Sequence, residues 1–291
     1  MAAAEPEEKK RKESVKASGH WPLHGWVGLA LVASMWPANW FLPGLRTQIL
    51  FAPLWLGYTL SVDAVVLLRR GSSLWSRSRR EFLLLFALST PAWWLFELID
   101  QRTRNWRYLG RSQFTNTQYF FLATICFATV IPAVFETAEL VAGWRWVREL
   151  STGWRMRATR RNQAILFLTG AIMLTLLLLW PRWFYPFTWL SLVFLFEPLA
   201  AWRTGGSLLD RLARGDWRQV LALALGALIC GFFWELWNFH SYPRWVYDIP
   251  GLNHFHLFAM PAPGYLGYLP FGLELYLIAE ILLGRPPKIE I

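Results

Sequence analysis

The chain has 291 residues, 55% of them hydrophobic and 16% charged, with a formal net charge of +10 and a mean hydropathy of +0.29. Soluble domains carry about a quarter charged residues, so this composition argues against a soluble globular protein and for the bilayer. The basic residues cluster between apolar runs, which reads as anchoring to anionic lipid rather than as nucleic-acid binding.

Residues Met1–Gly19 are polar and basic, with Lys9, Lys10, Arg11, Lys12 and Lys16 and no apolar stretch or cleavage site. They predict a disordered cytoplasmic tail over residues 1–20, not a signal peptide. A spanning helix needs about 20 mostly apolar residues. Eight segments are expected to qualify: Trp26–Leu42, Ile49–Leu68, Phe82–Ile99, Tyr119–Val141, Ala164–Trp180, Phe184–Ala201, Val220–Phe239 and Gly264–Leu283. The first, fifth and sixth are short, which leaves one of them open to a re-entrant course. Barrel strands would alternate over about 10 residues, and these runs are continuously apolar. With the N-terminus inside, 22 of the 29 basic residues fall on the cytoplasmic side. That bias predicts a multi-pass protein of the cell membrane with both termini cytoplasmic. The 20 Trp suit a membrane protein, because indole settles at the headgroup boundary. Cys126 and Cys230 lie inside apolar runs without metal or disulfide spacing and read as core thiols.

The second half repeats the first. Trp36-Pro37 and Trp40-Phe41-Leu42-Pro43 return as Trp180-Pro181 and Trp183-Phe184-Tyr185-Pro186. Trp55, Asp63, Arg69, Gly71, Ser73 and Arg77 return as Trp189, Glu197, Arg203, Gly205, Ser207 and Arg211. Phe96-Glu97-Leu98 matches Trp234-Glu235-Leu236, Trp106-x-Tyr108 matches Trp245-x-Tyr247, and Pro132 with Glu136 matches Pro270 with Glu274. The expected fold is therefore an all-α polytopic helix bundle, about eight membrane helices arranged as a 4+4 tandem parallel repeat. Residues 21–150 form the first unit and 151–291 the second. An even number of spans per unit keeps both halves in one orientation, related by an axis along the membrane normal.

Ionisable groups inside spans are expensive and need a reason. Each half carries three: Asp63, Glu97 and Glu136, then Glu197, Glu235 and Glu274. Glu139 and Glu280 lie one turn further along and are within reach of the interface. Carboxyls of this kind either staple helices or serve as acids in an apolar surround. Aromatic pairs follow, beginning 9 or 10 residues on: Trp106 and Tyr108 after Glu97, and Trp245 and Tyr247 after Glu235, which also has Trp234 and Asn238 beside it. An interfacial belt accounts for rings but not for that spacing. Pro132 and Pro270 each precede a Glu by one turn, where a proline removes a backbone hydrogen bond and opens room beside the carboxyl. No nucleotide, zinc-protease or esterase motif is present, and no cofactor or metal is expected. His240, His254 and His256, in one outer loop, are the single place where a metal is conceivable.

The order Glu97/Trp106/Tyr108/Pro132/Glu136 and Glu235/Trp245/Tyr247/Leu269/Pro270/Glu274 resembles the repeated domain of membrane-type lycopene cyclases, over about 50 residues in each half. Those cyclases have three spans per unit, and their Pro-x-Glu-Glu signature is here Pro270-Phe271-Gly272-Leu273-Glu274. The resemblance implies acid-initiated cyclisation of an isoprenoid or carotenoid-like lipid in the bilayer. Glu235, Glu274, Glu97 and Glu136 would be the catalytic carboxyls, and Trp and Tyr faces would stabilise a carbocation. Two other classes fit the same residues: a proton-coupled transporter, since repeats with buried carboxylates suit one, and a non-catalytic membrane scaffold.

Overall fold

Apolar runs bounded by proline, glycine and arginine fold into a helical bundle, seen here in a computed structural model that describes residues 20–252 and 254–291. The tail expected over residues 1–20 therefore lies, apart from His20, outside the described residues. In chain order the first half comprises α1 (Leu23–Phe41), α2 (Thr47–Arg70), a short α3 (Leu74–Arg77), α4 (Arg79–Thr103), strand β1 (Trp106–Leu109), α5 (Asn116–Phe127) and α6 (Val130–Ala142). After the short α7 (Arg145–Arg148) comes a series of similar order. It comprises α8 (Arg160–Leu179), a short α9 (Pro181–Phe184), α10 (Phe187–Thr204), a short α11 (Leu208–Ala213), α12 (Arg218–Phe239), β2 (Arg244–Tyr247) and α13 (Tyr268–Leu283). A small hairpin, β3 (His256–Leu257) with β4 (Met260–Pro261), is inserted before α13.

Local chemistry sets these boundaries. Gly71 and Gly205 end α2 and α10 at φ +72° and +78°, the left-handed conformation that glycine adopts without a Cβ penalty. Ser73 and Ser207 then cap α3 and α11 by accepting from Ser76 N and Asp210 N.

Six helical stretches are long and apolar enough to cross a membrane: Thr47–Arg70, Arg79–Thr103, Asn116–Ala142, Arg160–Leu179, Arg218–Phe239 and Ala262–Leu283. The eight expected segments thus reduce to six on this measure. The two others are helices but less apolar: α1 contains His24, Pro37 and Asn39, and α10 contains Glu197, Pro198 and Arg203 within 18 residues. The outward stripe of α8, with Ile165, Leu168, Ile172 and Leu179 all half exposed or more, is satisfied by lipid and not by water. The six apolar helices fit a multi-pass integral membrane protein.

The span expected at Tyr119–Val141 is interrupted at Ala128–Thr129. Pro132 has no N–H to return to Ala128, and Ser89 of α4 inserts into the next rung, its Oγ donating to Phe127 O (2.6 Å) and accepting from Ile131 N (3.0 Å). In the second half the corresponding stretch starts as a 3-10 turn, Ala262–Gly267, before α13.

Packing crosses between the halves. Within them α1 pairs with α2 and α8 with α10; between them α6 packs on α12 and α4 on α13. Gly226 of α12 lies against the Ala138 backbone of α6, a contact that leaves no room for a Cβ. The core at this seam holds the fully buried Trp55, Trp237, Phe96, Phe271 and Phe135. One end of the bundle carries the basic turns around α3, α7 and α11; β1 and β2 pair at the other, hereafter the ribbon end.

Candidate functional site

At the ribbon end, α4 and α12 finish in the same way. Asp100 Oδ1 accepts from Asn105 N (2.8 Å) and Trp106 N (3.3 Å). Asn238, 138 positions later, accepts from Trp245 N (2.9 Å) and donates to Trp245 O (2.8 Å). Each side chain thus steers the backbone from helix into strand. The two strands then pair antiparallel, with Trp106 opposite Tyr247 and Tyr108 opposite Trp245. Exchanging the two Trp-x-Tyr segments reproduces the same register.

The strands turn their rings back onto the carboxyls one helical turn before. Glu97 Oε1 accepts from Tyr108 OH (2.6 Å), Trp93 Nε1 (3.0 Å) and Trp106 Nε1 (3.2 Å). Glu235 Oε1 accepts from Tyr247 OH (2.5 Å), Tyr268 OH (2.9 Å) and Trp245 Nε1 (3.3 Å). The similar Glu-to-Trp spacing, 9 residues in one half and 10 in the other, is therefore a closure requirement: the chain must leave the helix, turn and return a ring to the carboxyl. Burial, and then the neighbouring carboxyl, push the phenols of Tyr108 and Tyr247 well above the usual tyrosine range, so both remain proton donors.

Below the ribbon lies a cavity of about 170 Å³. Its walls include Trp106 and Tyr108 from the first half, Trp245, Tyr247 and Trp234 from the second, and Phe271 at the seam. Of the residues singled out from sequence, Trp106, Tyr108, Trp234, Trp245 and Tyr247 line it; Asn238 does not, being bonded to the β2 backbone behind it. Glu97 and Glu235 stand one side chain away, reaching the cavity through Tyr108 and Tyr247. Glu136 and Glu274 are not among the lining residues. Both are fully buried, and none of their carboxyl oxygens meets a hydrogen-bond donor. Sequence reasoning passed over Asp100 and Trp93, and placed Tyr268 at a glycine-lined cavity entry without its bond to Glu235. The first was legible as the partner of Asn238; the other two depend on which helices meet.

The remaining membrane carboxyls are structural. Asp63 takes His24 Nε2 (2.9 Å), Ser73 Oγ (2.9 Å) and Trp75 N (2.9 Å), and Glu197 takes Leu209 N (2.7 Å) and Leu208 N (3.3 Å). In each half the acid ties the short helix after the second long helix back to that helix, satisfying its orphan N–H groups. Glu139 and Glu280, expected within reach of the interface, are instead buried. Glu139 pairs with Arg77 and accepts from Glu290 N (2.9 Å), and Glu280 accepts from Thr204 Oγ1 (2.8 Å). Among the described residues no cluster of His, Cys, Asp and Glu stands in a metal-holding arrangement; His240 packs edge-on to Trp40, ring centroids 5.0 Å apart.

No family model, curated protein or solved structure matches the chain.

Proposed function

We propose that the chain is two four-helix repeats related by a two-fold axis along the membrane normal, sharing one lipid site at their junction, and that it acts on an isoprenoid or carotenoid-like lipid by acid-initiated cyclisation or isomerisation. The observation that carries this reading is the pair of Trp-x-Tyr clamps, each closed on a glutamate and both facing one aromatic cavity. The exchangeable register of β1 and β2 and the recurring element order support the repeat. The basic residues, 22 of 29 on one side by the eight-span count, support a cytoplasmic basic end in the cell membrane.

The chemistry runs as a proton relay across the two-fold. In the first step the Tyr247 hydroxyl, which donates to Glu235 at rest, turns toward the substrate, so that protonated Glu235 donates to the phenol oxygen while the phenol proton passes to an alkene carbon, forming a C–H bond and leaving a tertiary cation. The faces of Trp106, Trp245 and Trp234 stabilise that cation. An internal alkene attacks it to form the ring bond, and a C–H proton then passes through Tyr108 to Glu97. The product is an isomer of the substrate, so no redox partner is consumed; before the next turnover Glu97 releases its proton to solvent and Glu235 takes one up. Two acids in equivalent clamps suit one donor and one acceptor, whereas a belt or a bare staple has no use for phenols facing a cavity.

The deciding experiment is to purify the protein in a mild detergent, extract its lipid and identify it by mass spectrometry. A polyprenyl or polyene lipid retained by the native chain and lost from Trp245→Ala supports the reading. Bulk phospholipid alone in both sinks it in favour of a non-catalytic membrane protein.

A further inference from the structure

The cavity wall is not uniformly apolar. Two arginines, Arg111 just after β1 and Arg244 at the start of β2, are among its lining residues, and no aspartate or glutamate is. Arg244 lies opposite Leu109 in the ribbon, so both cations stand at the same rim. Other arginines of the ribbon end are occupied by carbonyls: Arg46 donates to the carbonyls of Asn39, Gly44, Trp40 and His240, and Arg102 to those of Leu178 and Leu179. Arg111 and Arg244 also donate to carbonyls, but of these four arginines they are the two that line the cavity. Arg111 lies over the Tyr119 ring at 4.1 Å and donates to Phe114 O (3.0 Å) and Asn116 Oδ1 (2.6 Å). Arg244 donates to Phe239 O (2.6 Å). Among the described residues neither has a carboxylate within ion-pair distance, although most other close ion pairs of this protein are made by arginine.

The walls are ordered by depth. Thr47 and Gln48, at the first turn of α2, sit at the same rim as the arginines. Along α5 and into α6 the lining runs from Tyr119 to Val130, about 16 Å of descent at the helical rise. The floor is Trp93, Trp234 and Phe271. A polar, doubly cationic rim above a deep aromatic well has the shape of an amphiphile site. A neutral hydrocarbon leaves both guanidinium groups without a counter-charge, whereas a phosphate or carboxylate accepts their forked donors.

We infer that the ligand of this cavity is an isoprenoid with an anionic head, its phosphate or carboxylate held between Arg111 and Arg244 and its chain lying in the aromatic well. This rests on the isoprenoid-site reading above and narrows the substrate from a hydrocarbon to an acidic amphiphile. It also sets the direction of entry, head at the ribbon end, which places the proximal alkenes beside Tyr108 and Tyr247.

The test uses the full chain in nanodiscs of zwitterionic lipid, with quenching of intrinsic tryptophan fluorescence as the readout. Farnesyl phosphate, farnesol, hexadecyl phosphate and inorganic phosphate are titrated into the native protein and into Arg111→Gln/Arg244→Gln. Farnesyl phosphate is expected to bind at least about tenfold more tightly than farnesol. In the double variant that gap should close to within about threefold while farnesol binding is unchanged, which also reports an intact fold. Equal affinity for farnesyl phosphate and farnesol in the native protein overturns the anionic-head inference and leaves the cavity reading standing. Equal affinity for hexadecyl phosphate and farnesyl phosphate overturns the isoprenoid part, making the cavity a general acidic-lipid site. Failure of all four to quench overturns the lipid site itself.

Discussion

Replacing Glu235 separates its two possible duties, because Gln and Leu remove different things. The Oε1 atom of Glu235 accepts three buried donors, from Tyr247, Tyr268 and Trp245, while Oε2 is buried and has no partner. In Glu235→Gln the amide oxygen keeps the three donors, and the amide nitrogen takes the partnerless position. That position is unpaired in the native chain as well, so the number of buried unsatisfied groups is unchanged and little stability should be lost. In Glu235→Leu all three donors lose their acceptor, and at about 1–3 kcal/mol per buried unsatisfied group the loss is roughly 3–9 kcal/mol before relaxation. The order of stability should be native, then Gln, then a much weaker Leu, read as thermal unfolding of the detergent-solubilised protein by tryptophan fluorescence. Turnover of the lipid found in the cavity should be lost in both, since neither variant holds a transferable carboxyl proton. Two results would refute the reasoning. If Leu unfolds no earlier than Gln, the clamp does not hold the ribbon in place. If Gln retains turnover, Glu235 is a staple and not an acid.

The ribbon register can be checked by cross-linking. Arg107→Cys with Val246→Cys, directly opposed in the register, should oxidise to an intramolecular disulfide, whereas Arg107→Cys with Arg244→Cys, two positions out of register, should do so far more slowly; equal rates would mean that the strands slip. At the α1–α2 seam, a Cβ on Gly57 would meet Leu31 Cβ at 2.7 Å and Gly28 O at 2.9 Å, so Gly57→Leu should abolish a monodisperse peak on size exclusion. Gly206→Ala, with nothing within 4 Å of the new atom, should be neutral, and comparable loss in both would disprove the close approach. For topology, a reporter fused after Ile291 should read cytoplasmic and one inserted near Gln113 external; both ends external would invert the assignment.

Periodicity and hydropathy were enough to place the long helices, because an apolar run of this length has few alternatives. They were not enough to describe how two of them are built. The break at Ala128–Thr129 needs Ser89 from another helix, and a local reading saw Pro132 without its accomplice. Glu97 and Glu235 were legible as special from their recurrence 9 or 10 residues before Trp-x-Tyr, and the geometry supplies the reason. Asp63 and Glu197 looked identical to them in sequence, yet they cap short helices, because the serine-led turn behind each supplies the N–H groups. A buried carboxyl at a given depth is thus ambiguous until its donors are known. Donors drawn from backbone N–H groups mark a cap, and donors drawn from rings that also face a cavity mark a site.

That distinction bears on Glu136 and Glu274, which recur as faithfully as the clamped pair but have no donors at all. Carboxyls that meet no donor make poor staples, and these two also line no part of the cavity. In α6, however, Glu136 packs beside Asp63, whose oxygens accept from Ser73 Oγ and Trp75 N, with Oδ1 standing 2.9 Å from His24 Nε2. Glu274 has no such neighbour. The surroundings of the two acids therefore differ, and the two halves are not interchangeable below the ribbon. A function that used both halves equivalently would have to rest on the clamps, where each carboxyl takes the phenol and the indole of its own Trp-x-Tyr segment, and not on the deeper pair.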